Sequence, residues 1–442
     1  MDLSQRRKMK ASIFNIIEPI NNGILLYNTN SNSILKLNNE YTTKYLHFQK
    51  TNELTDPSLK AALIKGKMIF NEGVISEVDQ LLLENTLSRF SGNSIGLTIA
   101  PTMKCNFRCP YCYEKGRNLA TMSIETIQKT KNFISSLKKT YNNLSVTWYG
   151  GEPLLALPII KELMELSIKV FGSQNVHSSL ISNGYLMTQQ SVKTMKELSI
   201  DHIQITIDGP PEIHNQRRCL PNKSDTFFVI LENIRSALKI YSELKISIRV
   251  NIDKTNVENI DEIIHYLQNY ELLNKVNLYI APVSNINNTC NSSTCFSVQE
   301  FALEQLDFMK RNEGKGCSFV SLPSRNTFMC GAVSVNSWLI DANGDLYKCW
   351  DDVGDLSETI GNLREIDSAQ LYSNPNLIKW LNYSIKEDKE CMTCPYLPLC
   401  MGGCPNYRLK KSKKNCNPIK ENAKQLVHLI YDIEQKKGQA NV

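Results

Sequence analysis

The sequence has no run of 18 apolar residues, so no transmembrane helix is expected. Its first twenty residues, MDLSQRRKMKASIFNIIEPI, carry basic residues. They lack the long apolar stretch and small-residue cleavage site of a signal peptide. Neither sign of charge dominates, with 50 Lys and Arg against 44 Asp and Glu. A net +6 over 442 residues is too small to argue for nucleic acid and allows at most a preference for acidic partners. Cysteine is missing from the first 104 residues, although the chain holds 14. With no export signal the chain is expected in the reducing cytoplasm, where so many cysteines point to metal rather than to disulfides. What remains is ordinary: 42% hydrophobic and 21% charged residues, as in soluble globular proteins. The length exceeds one ordinary core, so two or three domains are expected.

The chain divides into residues 1–92, 93–315 and 316–442. In the first part, NGILLYNTNSNSILKLN reads as a hairpin around a polar turn. EYTTKYLHFQK and SEVDQLLLENTLSRF read as helices, the second with Ser76 as N-cap, and MIFNEGVI as a further strand and turn. SGN at 91–93 reads as a linker. The second part alternates β-branched runs (SIGLTIAP, LSVTWYGG, SSLISNG, HIQITIDG, LKISIRVNID, KVNLYIAPV) with helical stretches such as SIETIQKTKNFISSLKKT and PIIKELMELSIKVFG. That is the pattern of βα units and predicts an α/β fold, a partial (β/α)6 TIM-like barrel with sites at the C-terminal ends of its strands. The third part is cysteine-rich and short of regular pattern, apart from a closing helix near 418–437. Metal clusters rather than a large apolar core are expected to hold it together.

MKCNFRCPYCYEKG follows the first barrel strand and spaces Cys105, Cys109 and Cys112 as Cys-x3-Cys-x2-Cys. Thiolates are soft ligands for iron–sulfur clusters or zinc. A closed structural zinc site wants four protein ligands. Three leave an open metal position, where a substrate or cofactor can bind. A zinc site borrowing a distant fourth ligand also fits these three residues.

The motif, with Tyr111 just before its third cysteine, resembles the signature of radical S-adenosylmethionine (SAM) enzymes. The resemblance implies that the three cysteines hold a [4Fe-4S] cluster whose open iron chelates SAM. Reductive cleavage of SAM would then give a 5′-deoxyadenosyl radical that abstracts a substrate hydrogen, chemistry that belongs to the cofactor. WYGGEP, carrying Gly150, Gly151 and Glu152, resembles the family's GGEP motif. Its backbone and carboxylate would hold the SAM ammonium. LISNGYL resembles the (T/S)NG segment, with Ser182 and Asn183 near SAM. ITIDGPPEIHNQRR resembles the DG…H…R segment through Asp208, Gly209, His214 and Arg217, although Asn215 stands where Asp is usual. Arg217 is expected near the SAM carboxylate, with Arg249 and Asn251 as competing contacts.

Cys330-x13-Gly344-x4-Cys349, then Cys391-x2-Cys394-x5-Cys400-x3-Cys404, then Cys416 resembles the SPASM extension, which holds two auxiliary [4Fe-4S] clusters. By that resemblance Cys391, Cys394, Cys400 and Cys416 hold an outer cluster, and Cys330, Cys349 and Cys404 an inner one. Cys317 is a candidate fourth ligand; without it the inner cluster has an open iron. Two zinc knuckles are the alternative. Cys219, Cys290 and Cys295 match no spacing and read as buried free thiols. RLKKSKKN at 408–415 reads as a solvated face or as a contact for an acidic leader.

SPASM enzymes commonly modify peptides. The layout of residues 1–92 resembles the small winged-helix-like domain of maturases of ribosomally made peptides, which binds a leader by strand addition. A structural cap on the barrel is the alternative. The resemblance implies a radical SAM/SPASM peptide maturase that forms an intramolecular thioether, carbon–carbon or ether cross-link. The expected partners are a precursor peptide with leader and a one-electron donor such as flavodoxin or ferredoxin. An anaerobic sulfatase-maturating enzyme is the second reading.

Overall fold

The computed structural model describes residues 9–71, 76–112, 114, 116, 118–283, 293–315, 319–365, 372–411 and 414–440. Cys290 and Cys317 lie outside the described residues.

The N-terminal part runs β1 (Met9–Ala11), β2 (Asn15–Ile20), β3 (Gly23–Asn28), β4 (Ser33–Leu37), α1 (Asn39–Thr51), α2 (Pro57–Lys65), β5 (Ile69–Asn71) and α3 (Glu77–Phe90). The expected hairpin is β3–β4, within an antiparallel meander ordered β2-β3-β4. β1, β2 and α2 were not legible in the sequence. β1 pairs with β5 over three residues only. Asn38, Asp56 and Ser76 cap the three helices through their side chains. One face of the meander packs on α1 and α2 through Leu26, Leu37, Tyr45, Phe48 and Leu63. The other face offers Ile16, Leu25 and Tyr27 to Leu399, Ile419 and Leu426 of the C-terminal part. Arg89 of α3 donates to the carbonyls of Val333 (2.9 Å) and Leu381 (3.0 Å). This part is therefore seated on the cysteine-rich region, with Leu306 of the second part joining the same cluster.

Six strands follow, β6 (Ser94–Thr102), β7 (Asn143–Gly150), β8 (Val176–Ser182), β9 (Ile200–Thr206), β10 (Lys245–Ile252) and β11 (Val276–Pro282). All six expected runs are strands, and each pairs in parallel with the next. Between them run α4 (Ile124–Leu137), α5 (Leu157–Phe171), α6 (Gln189–Glu197), α7 (Pro211–Arg217), α8 (Phe227–Ile240) and α9 (Glu262–Asn269). Helices pack on one face of this sheet, while residues of the other face, among them Gln204, Thr206, Arg249 and Asn251, line a cavity; β6 is buried along nearly its whole length. The core joins strand residues such as Leu97, Val146, Ile203 and Ile248 to Ile134, Leu163 and Leu231 of the helices.

The C-terminal part holds strands where none was expected. β12 (Ser337–Ile340) pairs in parallel with β6 from Gly96 to Ile99, and β13 (Asp345–Tyr347) and β14 (Gly361–Asn362) follow antiparallel. The sheet thus has nine strands in the order β11-β10-β9-β8-β7-β6-β12-β13-β14. α10 (Val298–Asn312), begun by a Ser297–Glu300 capping box, packs on the closing helix Ile419–Ala440.

Candidate active site

The loop after β6 carries Cys105, Cys109 and Cys112 to the C-terminal end of the sheet. All three thiols line one cavity of about 340 Å³. Gly150 and Gly151 hold the end of β7 against this loop. At Gly150 φ is +114°, and an added Cβ would meet the Thr102 carbonyl oxygen at 2.3 Å. At Gly151 a Cβ would lie 2.4 Å from the Lys104 carbonyl oxygen. Only glycine allows that approach.

Glu152 is wholly buried. Its carboxylate accepts from the Ser182 hydroxyl (2.9 Å), the Asn183 N–H (2.8 Å) and the Leu154 N–H (3.1 Å). Burial pushes its carboxyl up, against those three donors. Glu152 lies behind the wall, while Ser182 and Asn183 line the cavity. Asn183 then donates through Nδ2 to Asn106 Oδ1 at 2.8 Å, which ties this turn to the cysteine loop.

Arg217 sits in a network of two carboxylates and an aromatic ring. Its guanidinium meets Asp253 at 2.8 Å and Asp208 at 3.5 Å, and stacks on the Tyr111 ring at 4.8 Å. Arg218, one residue beyond the end of α7, lines the cavity instead and donates to the Tyr111 hydroxyl at 2.9 Å. Tyr111 also hydrogen-bonds Asp208, which is fully buried. His214 accepts the Asp208 N–H through Nδ1 at 3.3 Å. Burial and the two arginines hold His214 well below the usual imidazole range, so it is neutral. Asn215 accepts the N–H groups of Thr226 (3.0 Å) and Phe227 (3.1 Å) at the start of α8. An amide oxygen serves there as a carboxylate would. Arg249 lines the cavity with its Nε on Asn251 Oδ1 at 2.7 Å, and Asn251 lines it too.

The cavity has a second wall that was not anticipated. Trp350 and Asp351, directly after Cys349, reach it from the C-terminal part. Trp350 stacks edge-on with Tyr149 of β7, ring centroids 4.6 Å apart. The only sequence signal for Asp351 was its adjacency to Cys349, whose Sγ lies 3.8 Å from Asp351 Oδ2.

The C-terminal cysteines form two sets. Cys391, Cys394, Cys400 and Cys416 line one cavity. Cys330 and Cys349 pack on the apolar cluster containing Val333 and Trp380. Cys404 is near enough to Cys330 for negative charge on it to raise the Cys330 pKa. Among the described residues, no three His, Cys, Asp or Glu side chains close on a point that could hold a single metal ion. Burial pushes Cys105 up to about 12, and Cys109 and Cys400 up to about 11. Without a cation these sulfurs are thiols; bound metal would supply the charge that deprotonates them. Three thiols on one cavity and four on another fit clusters with three and four protein ligands. Of the unassigned cysteines, Cys219 is half-buried with its thiol 3.6 Å from the Arg108 carbonyl oxygen. Cys295 is disulfide-bonded rather than free. Three residues of the basic stretch are paired: Arg408 and Lys414 with Asp388, and Lys410 with Asp352 and Glu358.

Residues 99–267 match the model of the Radical SAM superfamily. The cysteine-type anaerobic sulfatase-maturating enzyme of Clostridium perfringens (strain 13) is 24% identical over 341 residues, 72% of this chain and 90% of that protein. Among solved structures, native anSMEcpe with bound AdoMet superposes with a TM-score of 0.61 at 19% identity, covering 76% of this chain and 99% of that one. Streptococcus suis SuiB bound to precursor peptide SuiA superposes with a TM-score of 0.54 at 14% identity, covering 93% of this chain and 98% of that one. Both are likenesses of fold.

Proposed function

From the premise that this chain is a radical SAM superfamily enzyme, we propose that it matures a ribosomally made peptide by forming an intramolecular cross-link. The observation that carries this reading is the N-terminal part. The fold likeness to anSMEcpe leaves about a quarter of the chain uncovered, a length close to that of residues 1–92. The likeness to SuiB, whose structure contains a precursor peptide, extends over most of it. Within that part, β4 has no strand partner on its outer edge among the described residues. β2, the other edge of the meander, contains Pro19 and lies by the closing helix, to which Glu18 is paired through Lys424 at 2.9 Å. An extended leader would therefore add to β4, where backbone N–H and C=O groups remain for it.

At the cavity, Cys105, Cys109 and Cys112 would hold the SAM-binding cluster. Gly150, Gly151, Ser182 and Asn183 would shape the bed for SAM, and Arg218 and Arg249 are the cations for its carboxylate. Cys330, Cys349 and Cys404 would hold the inner auxiliary cluster, and Cys391, Cys394, Cys400 and Cys416 the outer one. When bound, SAM and its cluster supply a 5′-deoxyadenosyl radical that takes a substrate hydrogen atom, and the auxiliary clusters supply one-electron acceptors. Asp351 is a carboxylate at the cavity wall, suited to take the proton released as the substrate is oxidised. Tyr149 and Trp350 close the cavity beside it and limit water. A flavodoxin- or ferredoxin-class protein would supply the electron that starts each turnover.

The sequence likeness to sulfatase-maturating enzymes favours a second reading, oxidation of a Cys or Ser to formylglycine at the same cavity. One experiment separates the two. Anaerobically reconstituted, reduced protein is given SAM and either the short peptide encoded beside its gene or a sulfatase-motif peptide. The first reading expects loss of two hydrogens per modification and tandem fragments joined across the link. A hydrazide-reactive aldehyde on the sulfatase peptide, with the other peptide unchanged, would reverse the order. Removing residues 1–90 should weaken peptide binding while SAM cleavage without substrate continues; unchanged peptide affinity would end the leader-binding role.

A further inference from the structure

Cys404 is followed at once by a short helix, Pro405–Lys411. Two of its side chains donate to sulfur, and they do so at different sets of cysteines. Asn406, almost wholly buried, donates through Nδ2 to Cys349 Sγ at 3.1 Å. Arg408 donates through Nη2 to Cys391 Sγ at 3.2 Å. Two further bonds fix the Arg408 guanidinium in that position. Its Nε donates to the Gly402 carbonyl at 2.7 Å and its Nη1 to Asp388 Oδ2 at 2.7 Å. The sulfurs are thiols here; as cluster ligands the same atoms are thiolates and stronger acceptors.

The two contacts differ in charge. A guanidinium is always cationic, whereas an amide is neutral. N–H bonds to ligating sulfur stabilise the more negative, reduced cluster, and net charge around a cluster acts the same way. Further groups face each site. Cys349 has Asp351 Oδ2 at 3.8 Å. The ammonium of Lys348, on the same inner side, is taken up by the carbonyls of Ser334 and Ser337. Lys414 and Lys420 line the outer cavity, where Glu390 pairs with both.

We propose that Asn406 and Arg408 set the reduction potentials of the two auxiliary clusters separately, with Arg408 making the outer cluster the easier to reduce. An electron leaving the substrate beside Cys349 would then pass from the inner to the outer cluster. A one-electron carrier of the flavin or iron–sulfur class would remove it. This ordering of potentials rests on the cluster assignment under the proposed function, and the two can fail separately.

The test uses full-length protein with Cys105, Cys109 and Cys112 changed to Ala, so that only auxiliary clusters contribute. Iron is quantified first, and reduction is then followed by EPR at controlled potential. Absence of auxiliary iron in this parent would overturn the assignment itself. With iron bound, R408Q should move the higher of two midpoints to more negative potential and leave the lower in place, while N406L should move only the lower. A tenfold change in the reduced-to-oxidised ratio at fixed potential corresponds to about 59 mV for one electron. R408K keeps the cation but not the fork, and should give a smaller shift of the same wave. It is also the deciding variant if R408Q loses outer-cluster iron. Midpoints unmoved in R408Q and R408K, or one wave moved by both N406L and R408Q, would overturn the inference.

Discussion

Replacing Glu152 tests whether this buried carboxylate works through Ser182 and Asn183 or by meeting the cofactor itself. In E152Q the amide oxygen can keep two of the three donors, but the NH₂ group then faces the third. One charge-assisted hydrogen bond is lost, worth about 1.5–3 kcal/mol. Were all of that to appear as weaker SAM binding, about 2 kcal/mol would be roughly a thirtyfold loss of affinity. In E152A the Asn183 and Leu154 N–H groups are both stranded in a buried site, at about 1–3 kcal/mol each, whereas the Ser182 hydroxyl can rotate to another acceptor. At about 2 kcal/mol for each stranded group, E152A should bind SAM about 2 kcal/mol, roughly thirtyfold, more weakly than E152Q. Equilibrium titration with SAM on anaerobic, cluster-loaded protein reads both numbers. The indirect route makes a further demand. Because Glu152 and Ser182 share a hydrogen bond at 2.9 Å, E152A and S182A should be non-additive, with a coupling of about 0.5–3 kcal/mol. Additivity in that cycle, or wild-type affinity in E152A, would refute the reasoning.

The two adjacent arginines should separate cleanly. R218A removes a cation from the cavity wall and should weaken SAM binding more than R217A, whose loss is felt at Asp253 and Asp208 and should appear first as lower thermal stability. In G151A the new Cβ would collide with backbone at Lys104 and Met103; iron held by the Cys105 loop should be lost while auxiliary iron remains, as Mössbauer spectra would register. D351N should still form 5′-deoxyadenosine but yield little product, and product at the wild-type rate would remove Asp351 as the proton acceptor. Burial, and then the neighbouring Asp345, push the Asp341 carboxyl up to about 6. A raised carboxyl pKa means stability that is full below about pH 4 and lost as pH rises through 6, about 3 kcal/mol at neutrality. D341N can still accept the N–H groups of Asn343 and Asp345. It should therefore melt higher than wild type at pH 8 and alike at pH 4, and equal losses at both would contradict this.

The barrel was legible because every strand buries at least half of its residues, so that runs such as SIGLTIAP and HIQITIDG are long and β-branched. The closing helix and the Ser76 cap were legible for similar local reasons. β12, β13 and β14 were not. They are four, three and two residues long, and β12 exists because β6, more than 230 residues earlier, offers it an edge. Within the site, the cysteine spacings and the GGEP glycines carry their chemistry in the sequence. Which of Arg217 and Arg218 faces the cavity does not appear there, because it is decided by where α7 ends. The turn of Glu152 away from the cavity depends on three donors brought from two separate segments. Asp351 reaches the cavity only through the packing of Trp350 on Tyr149.

The pairing of β12 with β6 bears on how such a chain can be assembled or cut. Shortened before residue 337, the protein would present the raw side of β6 at Gly96–Ile99, an invitation to stick to other chains. During synthesis that side stays unprotected until the partner strand has been made, and parallel pairings between such distant segments form slowly. The C-terminal region is thus the stopper of the barrel sheet, not a module hung on its end. Grafting it onto another barrel would require carrying β12 along and finding a receptive first strand. It also ties the loop bearing Cys105, after β6, and the segment bearing Cys349, after β13, into one sheet with only β12 between them, so the distance between them is a matter of masonry rather than of hinges.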